Sequence, residues 1–150
     1  MRRTDREIKE SEALSILEKG EYGILSSVAE DGKPYGVPMS YCLVGGNIYI
    51  HSSLEGQKVD MLRKNPGVSF CTVINTEVLP EKFASKYESC IVQGRAEEVS
   101  GEEKQSALEG LLFKYSRDFL AEGKRYIAKL KDETKVFRIS IDSISGKARR

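Results

Sequence analysis

The chain has a single histidine, His51, and it stands beside groups that could bind an anion. The segment "IYIHSSLEGQK" reads as an alternating strand ending in Ser52 and Ser53, then a turn with a glycine, then Lys58. Hydroxyls, a lysine and the backbone N–H groups at a helix start are the donors that bind a phosphate. A lysine in a first helical turn opposes the helix dipole, which favours an anion nearby. The segment therefore indicates a phosphate site, or else an ordinary strand-to-helix turn with a solvated lysine.

Other site chemistries find less support in the residue types. With one histidine a His-rich metal site is excluded, and the three separated cysteines, Cys42, Cys71 and Cys90, argue against structural zinc. Each cysteine lies in an apolar, strand-like run, so we expect small buried hydrophobic side chains. A dyad of His51 with Cys71 would need neighbouring strands, and no motif such as GxSxG supports it. Without further information His51 reads either as a half-exposed strand residue or as a functional one.

The overall composition is that of an ordinary soluble domain. Hydrophobic residues make up 39% and charged residues 31% of the chain, and the formal net charge of +1 argues against a protein built around nucleic acid. No apolar run approaches the roughly 20 residues that span a membrane. The odd number of cysteines and the charged N-terminus favour a reduced, cytoplasmic protein.

Turn signals and side-chain periodicity predict a single domain over residues 1–150, built from six strands and four helices. The predicted strands cover residues 22–29, 35–44, 48–53, 67–74, 87–99 and 135–150. The predicted helices cover residues 10–20, 58–65, 101–116 and 118–130. Strands joined mostly by tight turns predict a small antiparallel barrel with flanking helices, hence a mainly β fold. Pro38 lies inside the second strand, which should therefore be an edge strand, bulged, or open to a ligand at that point.

Three stretches together carry a family resemblance. They are "EYGILSSVAEDGKPYGVPMSY", "IYIHSSLEGQKVDMLRKNPGVSF" and "KYESCIVQGRAEEV", supported by the closing "ISGKARR". In this order the chain resembles the FMN-binding split-barrel superfamily. More narrowly, it resembles the pyridoxamine 5′-phosphate oxidase-like proteins grouped with the nitroimidazole-resistance (Nim) reductases. The resemblance implies a six-stranded antiparallel split β-barrel that forms a homodimer with FMN at the subunit interface.

The same resemblance implies roles for individual residues. Ser52, Gln57 and Lys58 would hold the flavin phosphate, and His51 would lie beside the ring, where it could act in catalysis. Tyr87 and Ser89 would approach from the partner subunit. Gln57 stands where the oxidases often have an arginine. The implied cofactor-binding residues are Val37, Pro38, Met39 and Ser40 along the isoalloxazine ring, with His51, Ser52, Ser53, Gln57, Lys58, Tyr87 and Ser89.

The expected function is FMN-dependent reduction of a small acceptor, with electrons from NAD(P)H or another donor that binds transiently, since no GxGxxG follows a strand. The true oxidases carry a C-terminal segment with tryptophan, and this chain has no tryptophan, so pyridoxamine phosphate is not the expected substrate. Three alternatives stay open: a flavin-binding protein or redox sensor without turnover, a relative using deazaflavin or haem, and a barrel without cofactor that serves as an interaction module.

Overall fold

The computed structural model describes all 150 residues and consists of eight strands and four α-helices. The strands are β1 (Glu7–Ile8), β2 (Gly23–Val28), β3 (Pro34–Met39), β4 (Cys42–Val44), β5 (Asn47–Ser53), β6 (Gly67–Leu79), β7 (Ala84–Val99) and β8 (Thr134–Arg149). The helices are α1 (Glu10–Lys19), α2 (Gln57–Lys64), α3 (Gly101–Tyr115) and α4 (Leu120–Leu130). No helix is long and apolar enough to cross a membrane.

All strands form one antiparallel sheet that curls on itself. The order is β3-β2-β6-β7-β8-β5-β4, with the short β1 beside β8. β3 and β4 stand at opposite ends of this order, yet only Ser40 and Tyr41 separate them in the chain. Three peptide steps reach about 11 Å at most, so the two ends of the sheet must meet. No hydrogen-bonded ladder joins β3 to β4, and the result is a barrel with a split.

The predicted mainly β barrel with flanking helices is confirmed, with a strand count of eight rather than six. Each of the six predicted strands is present. The count rises to eight for two reasons. β1 was not predicted, and the predicted strand 35–44 is divided into β3 and β4. β3 and β4 are separate strands because the backbone N–H and carbonyl of Tyr41 form hydrogen bonds with side chains and not with a neighbouring strand. Its N–H donates to the hydroxyl of Tyr115 (3.0 Å), and its carbonyl accepts from the ammonium of Lys114 (2.9 Å).

Pro38 lies in an edge strand, as its missing N–H predicts. Its only ladder partner is Ile24 on β2, and its ring is exposed on the outside of the barrel. Val37 and Met39, on either side, point inward and pack on the core.

The hydrophobic residues form two clusters on opposite faces of the sheet. The larger one fills the barrel and is closed by α1 and α2, with Phe70, Ile50 and Phe137 among its fully buried members. The smaller cluster lies outside the barrel wall, where α3 and α4 pack on β5 and β8 through residues such as Tyr49 and Val136. β5 and β8 are therefore covered on both faces, which positions α3 and α4 next to the end of β5.

Candidate functional site

β5 ends at Ser53 and α2 begins at Gln57, with a bend between them. Ser53 shapes this bend by donating its hydroxyl proton to the carbonyl of Glu55 (2.8 Å). Gly56 has φ +140°, a backbone conformation that residues with a Cβ rarely adopt. No side chain caps α2, and the first intrahelical bond runs from Asp60 N–H to the carbonyl of Gly56. The N–H groups of the first turn are therefore available to a ligand.

Lys58 is half-buried in the first turn of α2 and has no partner in the chain. Ten ion pairs form in the protein, and none includes Lys58; no side-chain hydrogen bond includes it either. Burial lowers the pKa of Lys58 below the usual value for lysine, because the protein replaces water around the charged form. An anion would satisfy this cation.

His51 lies on the outer face of β5, the face that carries Tyr49, while Ile48 and Ile50 point into the barrel. This division matches the alternation in the sequence. His51 is exposed at the surface of the single chain, and the neighbouring protein atoms, together with the charge of nearby Lys58, lower the pKa of its imidazole. His51 is therefore neutral at pH 7, with one ring nitrogen able to donate a hydrogen bond and the other able to accept one.

Ser52 lies on the opposite face of β5 from His51 and Ser53, since side chains alternate along a strand. It is half-buried and makes no side-chain hydrogen bond, and its strand partner on β8 is Lys135. The two adjacent serines therefore differ. The hydroxyl of Ser52 is free to donate, whereas that of Ser53 already donates within the turn.

A cleft of about 550 Å³ opens beside His51, between the end of β5 and the helices α3 and α4. Ser40 and His51 lie on its barrel side, together with Thr134 at the start of β8. Ser40 lies two residues before β4, which pairs with β5 in register Cys42 to Tyr49. Extending this hairpin register by two residues places Ser40 opposite His51, which is why these two predicted site residues line the same cleft.

Tyr87 and Ser89 lie on β7, away from this cleft within one chain. They pair with Arg149 and Lys147 on β8. The hydroxyl of Tyr87 accepts a hydrogen bond from Arg6 (3.4 Å), and that of Ser89 donates to the carbonyl of Lys147 (3.3 Å). They could reach the site only from another copy of the chain.

The three cysteines are free thiols, with Cys42 and Cys90 fully buried. Burial raises the pKa of Cys42 to about 11 and that of Cys90 to about 12, so both stay protonated at neutral pH. Cys71 lies on β6, which does not neighbour β5, so the condition for a dyad with His51 is not met. No group of three His, Cys, Asp or Glu side chains could hold a metal ion.

Sequence reasoning missed the helical wall of the cleft. Its apolar and aromatic members come from α3 and α4 and the turn between them. They include Leu111, Leu112, Tyr115, Phe119, Tyr126 and Ile127. The spacing of these residues predicted helices, but an apolar helix face does not reveal what it packs against. No signal in the sequence separated these residues from ordinary core positions; the structure shows that Phe119 and Tyr126 remain 62% and 67% exposed.

These features define a split-barrel protein with an unpaired cation at a strand-to-helix turn and an open, largely apolar cleft beside His51. The family model of pyridoxamine 5′-phosphate oxidase matches residues 9–148. The chain therefore belongs to the pyridoxamine 5′-phosphate oxidase family, and the predicted resemblance is confirmed at this level.

One curated relative matches part of the chain. The chain is 31% identical over 96 residues to a protein of Rhizobium meliloti (strain 1021), the uncharacterized protein RA0666. That match spans 63% of this chain and 57% of the relative, so it covers little more than half the length of the curated relative.

Two solved structures share the fold. One is described as a candidate 5-nitroimidazole antibiotic resistance protein of Bacteroides thetaiotaomicron; its TM-score is 0.76 at 24% identity, over 94% of this chain and 85% of that one. The other is an FAD-binding protein of Mesorhizobium loti, with a TM-score of 0.69 at 25% identity, over 97% of this chain and 98% of that one.

Proposed function

We propose that this protein is an FMN-dependent oxidoreductase that reduces a small acceptor, with Lys58 at the flavin phosphate. The observation that carries the proposal is the half-buried ammonium of Lys58, which has no partner in the chain and stands close to His51. A buried cation without a counter-ion is unfavourable, and a phosphate would compensate it through charge-assisted hydrogen bonds.

The residues around Lys58 fit a phosphate group. The uncapped first turn of α2 supplies N–H groups, and the free hydroxyl of Ser52 supplies a further donor on β5. Gln57 is exposed at the first helical position and can donate through its amide. Ser53 contributes by shaping the turn, because its proton is already donated to Glu55.

The outer face of the barrel supports a homodimer with the flavin ring near the subunit boundary. One row across five strands consists of Pro38, Ile24, Cys71, Ile91 and Ser145, without a charged residue. Ile91 is 45% exposed in the single chain, which a second copy would cover.

In such a dimer the backbone of β3 with Ser40 would follow the ring of the flavin. Tyr87 and Ser89 of the partner subunit would approach it from the other side. Val37 and Met39 point into the core, so only their backbone groups would be available to the ring.

The flavin supplies two-electron redox chemistry when bound, and the chain supplies binding, orientation and electrostatics. The lowered pKa of His51 favours a neutral imidazole at pH 7, whose N–H can donate a hydrogen bond to the acceptor atom on which negative charge develops during reduction. The electrons would come from a nicotinamide donor that binds transiently. The fold shared with the candidate nitroimidazole resistance protein makes nitro compounds the first acceptors to test.

Reconstitution with FMN tests the proposal directly. The purified protein is incubated with excess FMN and desalted, and its absorption spectrum is recorded for wild type, Lys58→Ala and Lys64→Ala. Lys64 is the matched control, because it lies in the same helix but is exposed and paired with Glu30 (2.9 Å). We expect flavin bands in wild type and Lys64→Ala and much weaker bands in Lys58→Ala.

A colourless wild-type protein, or equal retention of FMN by all three proteins, contradicts the phosphate role of Lys58. If FMN is retained, NAD(P)H oxidation with a nitroaromatic acceptor distinguishes an enzyme from a flavin-binding protein without turnover. His51→Ala should then lose at least about tenfold in turnover while retaining FMN, because removing one hydrogen-bond donor to developing charge costs on the order of 10²- to 10³-fold.

A further inference from the structure

We infer that the cleft between the end of β5 and the helices α3 and α4 binds the acceptor, and that the acceptor is an uncharged planar ring compound. The assignment to an acceptor rests on the proposed function. The cleft as a ligand site rests on its own size, lining and charge.

The cleft has the size and character of a small-molecule site. Its volume of about 550 Å³ falls within the roughly 300–1,000 Å³ typical of ligand pockets. Eight of its 15 lining residues are hydrophobic, and all eight belong to α3, α4 and the turn between them, which form a largely apolar wall. A molecule of one or two fused rings would replace water along this wall.

Ser40, His51 and Thr134 supply polar groups on the barrel side of the cleft. Thr134 donates its hydroxyl proton to the carbonyl of Leu130 (3.3 Å), so it does not offer that proton to a ligand. Ser40 and His51 make no side-chain hydrogen bond within the chain, and both can donate. The cleft thus offers two free donors on its barrel side and a largely hydrophobic helical side, and a ring compound would direct its polar substituent toward His51.

The charges of the lining favour an uncharged ligand. Only Glu122 and Lys131 among the acidic and basic residues line the cleft, one of each sign, and neither forms an ion pair. A phosphorylated or carboxylated molecule would find no cluster of cations here. We therefore distinguish two binding sites next to His51, one at Lys58 for a phosphate and one in the cleft for an uncharged ring.

Two aromatic side chains stand exposed on the helical side of the cleft. Phe119 and Tyr126 are 62% and 67% exposed although both line the cleft. Aromatic rings prefer stacked or edge contacts with other rings, and such contacts exceed what area burial alone provides. A planar ligand would cover both side chains. Because they are exposed, replacing them should leave the fold intact.

Two matched fluorescent probes test the inference. N-phenyl-1-naphthylamine is uncharged, and 8-anilinonaphthalene-1-sulfonate is the same ring system with a sulfonate. Both are titrated into the purified protein with and without FMN, using wild type, the double variant Phe119→Ala/Tyr126→Ala, and Phe113→Ala. Phe113 is the control, since it is 52% exposed on α3 but does not line the cleft.

We expect saturable binding of the uncharged probe, at least about tenfold weaker in the double variant, because two stacking contacts are lost. Phe113→Ala should bind like wild type, and the sulfonated probe should bind more weakly than the uncharged one. With FMN bound, probe emission should be quenched by energy transfer to the flavin, with the probe affinity unchanged.

Displacement of the probe by FMN would mean that the flavin itself fills the cleft, which overturns the inference. Absence of saturable binding, equal binding by the double variant, or tighter binding of the sulfonated probe overturns it as well. Failure of FMN to load is a failure of the proposed function; the titrations without FMN still decide whether the cleft is a ligand site.

Discussion

Two half-buried lysines of this protein have opposite surroundings. Lys114 on α3 donates to the carbonyl of Tyr41 (2.9 Å), and its ammonium lies 3.6 Å from the centroid of the Tyr41 ring and 5.2 Å from that of Tyr115. Lys58 on α2 is half-buried as well, but its ammonium makes neither a hydrogen bond nor an ion pair.

Burial lowers the pKa of both lysines, that of Lys114 to about 8. A perturbed pKa therefore does not distinguish a structural lysine from a binding one. The partners do: the fold itself supplies acceptors for Lys114 and supplies none for Lys58. We take Lys114 as part of the structure that separates β3 from β4, and Lys58 as a group that requires a ligand.

The largest expected difference between the two lysines is in stabilisation by FMN. A ligand at 100 times its Kd stabilises the folded state by about 2.7 kcal/mol. At the same FMN concentration we expect this increase in the free energy of unfolding in wild type and in Lys114→Met. In Lys58→Met the increase should be less than about 1 kcal/mol, because one charge-assisted hydrogen bond of about 2 kcal/mol to FMN is lost. Urea denaturation with and without FMN measures the gain, and an equal gain in all three proteins would remove the distinction.

Tyr115→Phe tests the structural side of the comparison. The hydroxyl of Tyr115 donates to the carbonyl of Glu21 (2.6 Å) and accepts from the N–H of Tyr41 (3.0 Å), a fully buried residue. Losing an acceptor for a buried N–H costs about 1–3 kcal/mol, and we expect about 2 kcal/mol in the free energy of unfolding. Tyr126→Phe is the control, since the hydroxyl of Tyr126 makes no hydrogen bond within the chain; an equal loss there would contradict the role of Tyr115.

Replacing the lysines by methionine, which keeps an unbranched apolar side chain, should change stability without FMN in opposite directions. Lys114→Met removes a hydrogen bond to a backbone carbonyl and should destabilise the protein by about 1 kcal/mol. Lys58→Met removes an unpaired, partly desolvated charge and should leave stability unchanged or raise it slightly. Destabilisation by both substitutions, measured in urea, would indicate an intramolecular partner for Lys58.

The smallest expected effect is a pH dependence of stability that Lys114 contributes. Its folded pKa of about 8 lies below the 10.5 of an ordinary lysine, so above pH 8 the unfolded chain binds more protons than the folded one. Stability should therefore rise from pH 8 to 9, by less than the roughly 1.4 kcal/mol per pH unit of one full proton.

Burial raises the pKa of the neighbouring Cys42 from 9.0 to about 11. Above pH 9 the unfolded chain therefore loses the Cys42 proton first, which lowers stability as the pH rises. For this reason the measurement stops at pH 9. The slope between pH 8 and 9 should be smaller in Lys114→Met. An unchanged slope, from urea titrations at several pH values, would assign the titration to another group.

Much of the local structure follows from the sequence. The alternation around His51 puts Ile48 and Ile50 in the barrel and Tyr49 and His51 on the outer face, and the structure has this arrangement. Pro38 marks an edge strand, and this prediction is confirmed because a missing N–H restricts where proline can pair. The break after Met39 was not predicted, since it depends on Tyr115 and Lys114, more than 70 residues away in the chain.

The candidate site likewise has features that the local sequence predicts and features that it does not. The turn with Ser52, Gln57 and Lys58 is contiguous, so its donors could be recognised from residue order alone, although their roles stay predictions. That Ser53 donates its hydroxyl proton within the turn is visible only in the structure. The proximity of Ser40 and His51 follows from the short hairpin of β4 and β5, whose register extends to this pair.

By itself the sequence determined the strands, the helices, the family and the local donor set at Lys58, because these depend on periodicity and on neighbours in the chain. Only the tertiary structure decided that the ends of the sheet meet, that Lys58 lacks a partner while Lys114 has one, and that α3 and α4 enclose a cleft beside His51. Those properties depend on contacts between distant segments, which side-chain periodicity does not encode.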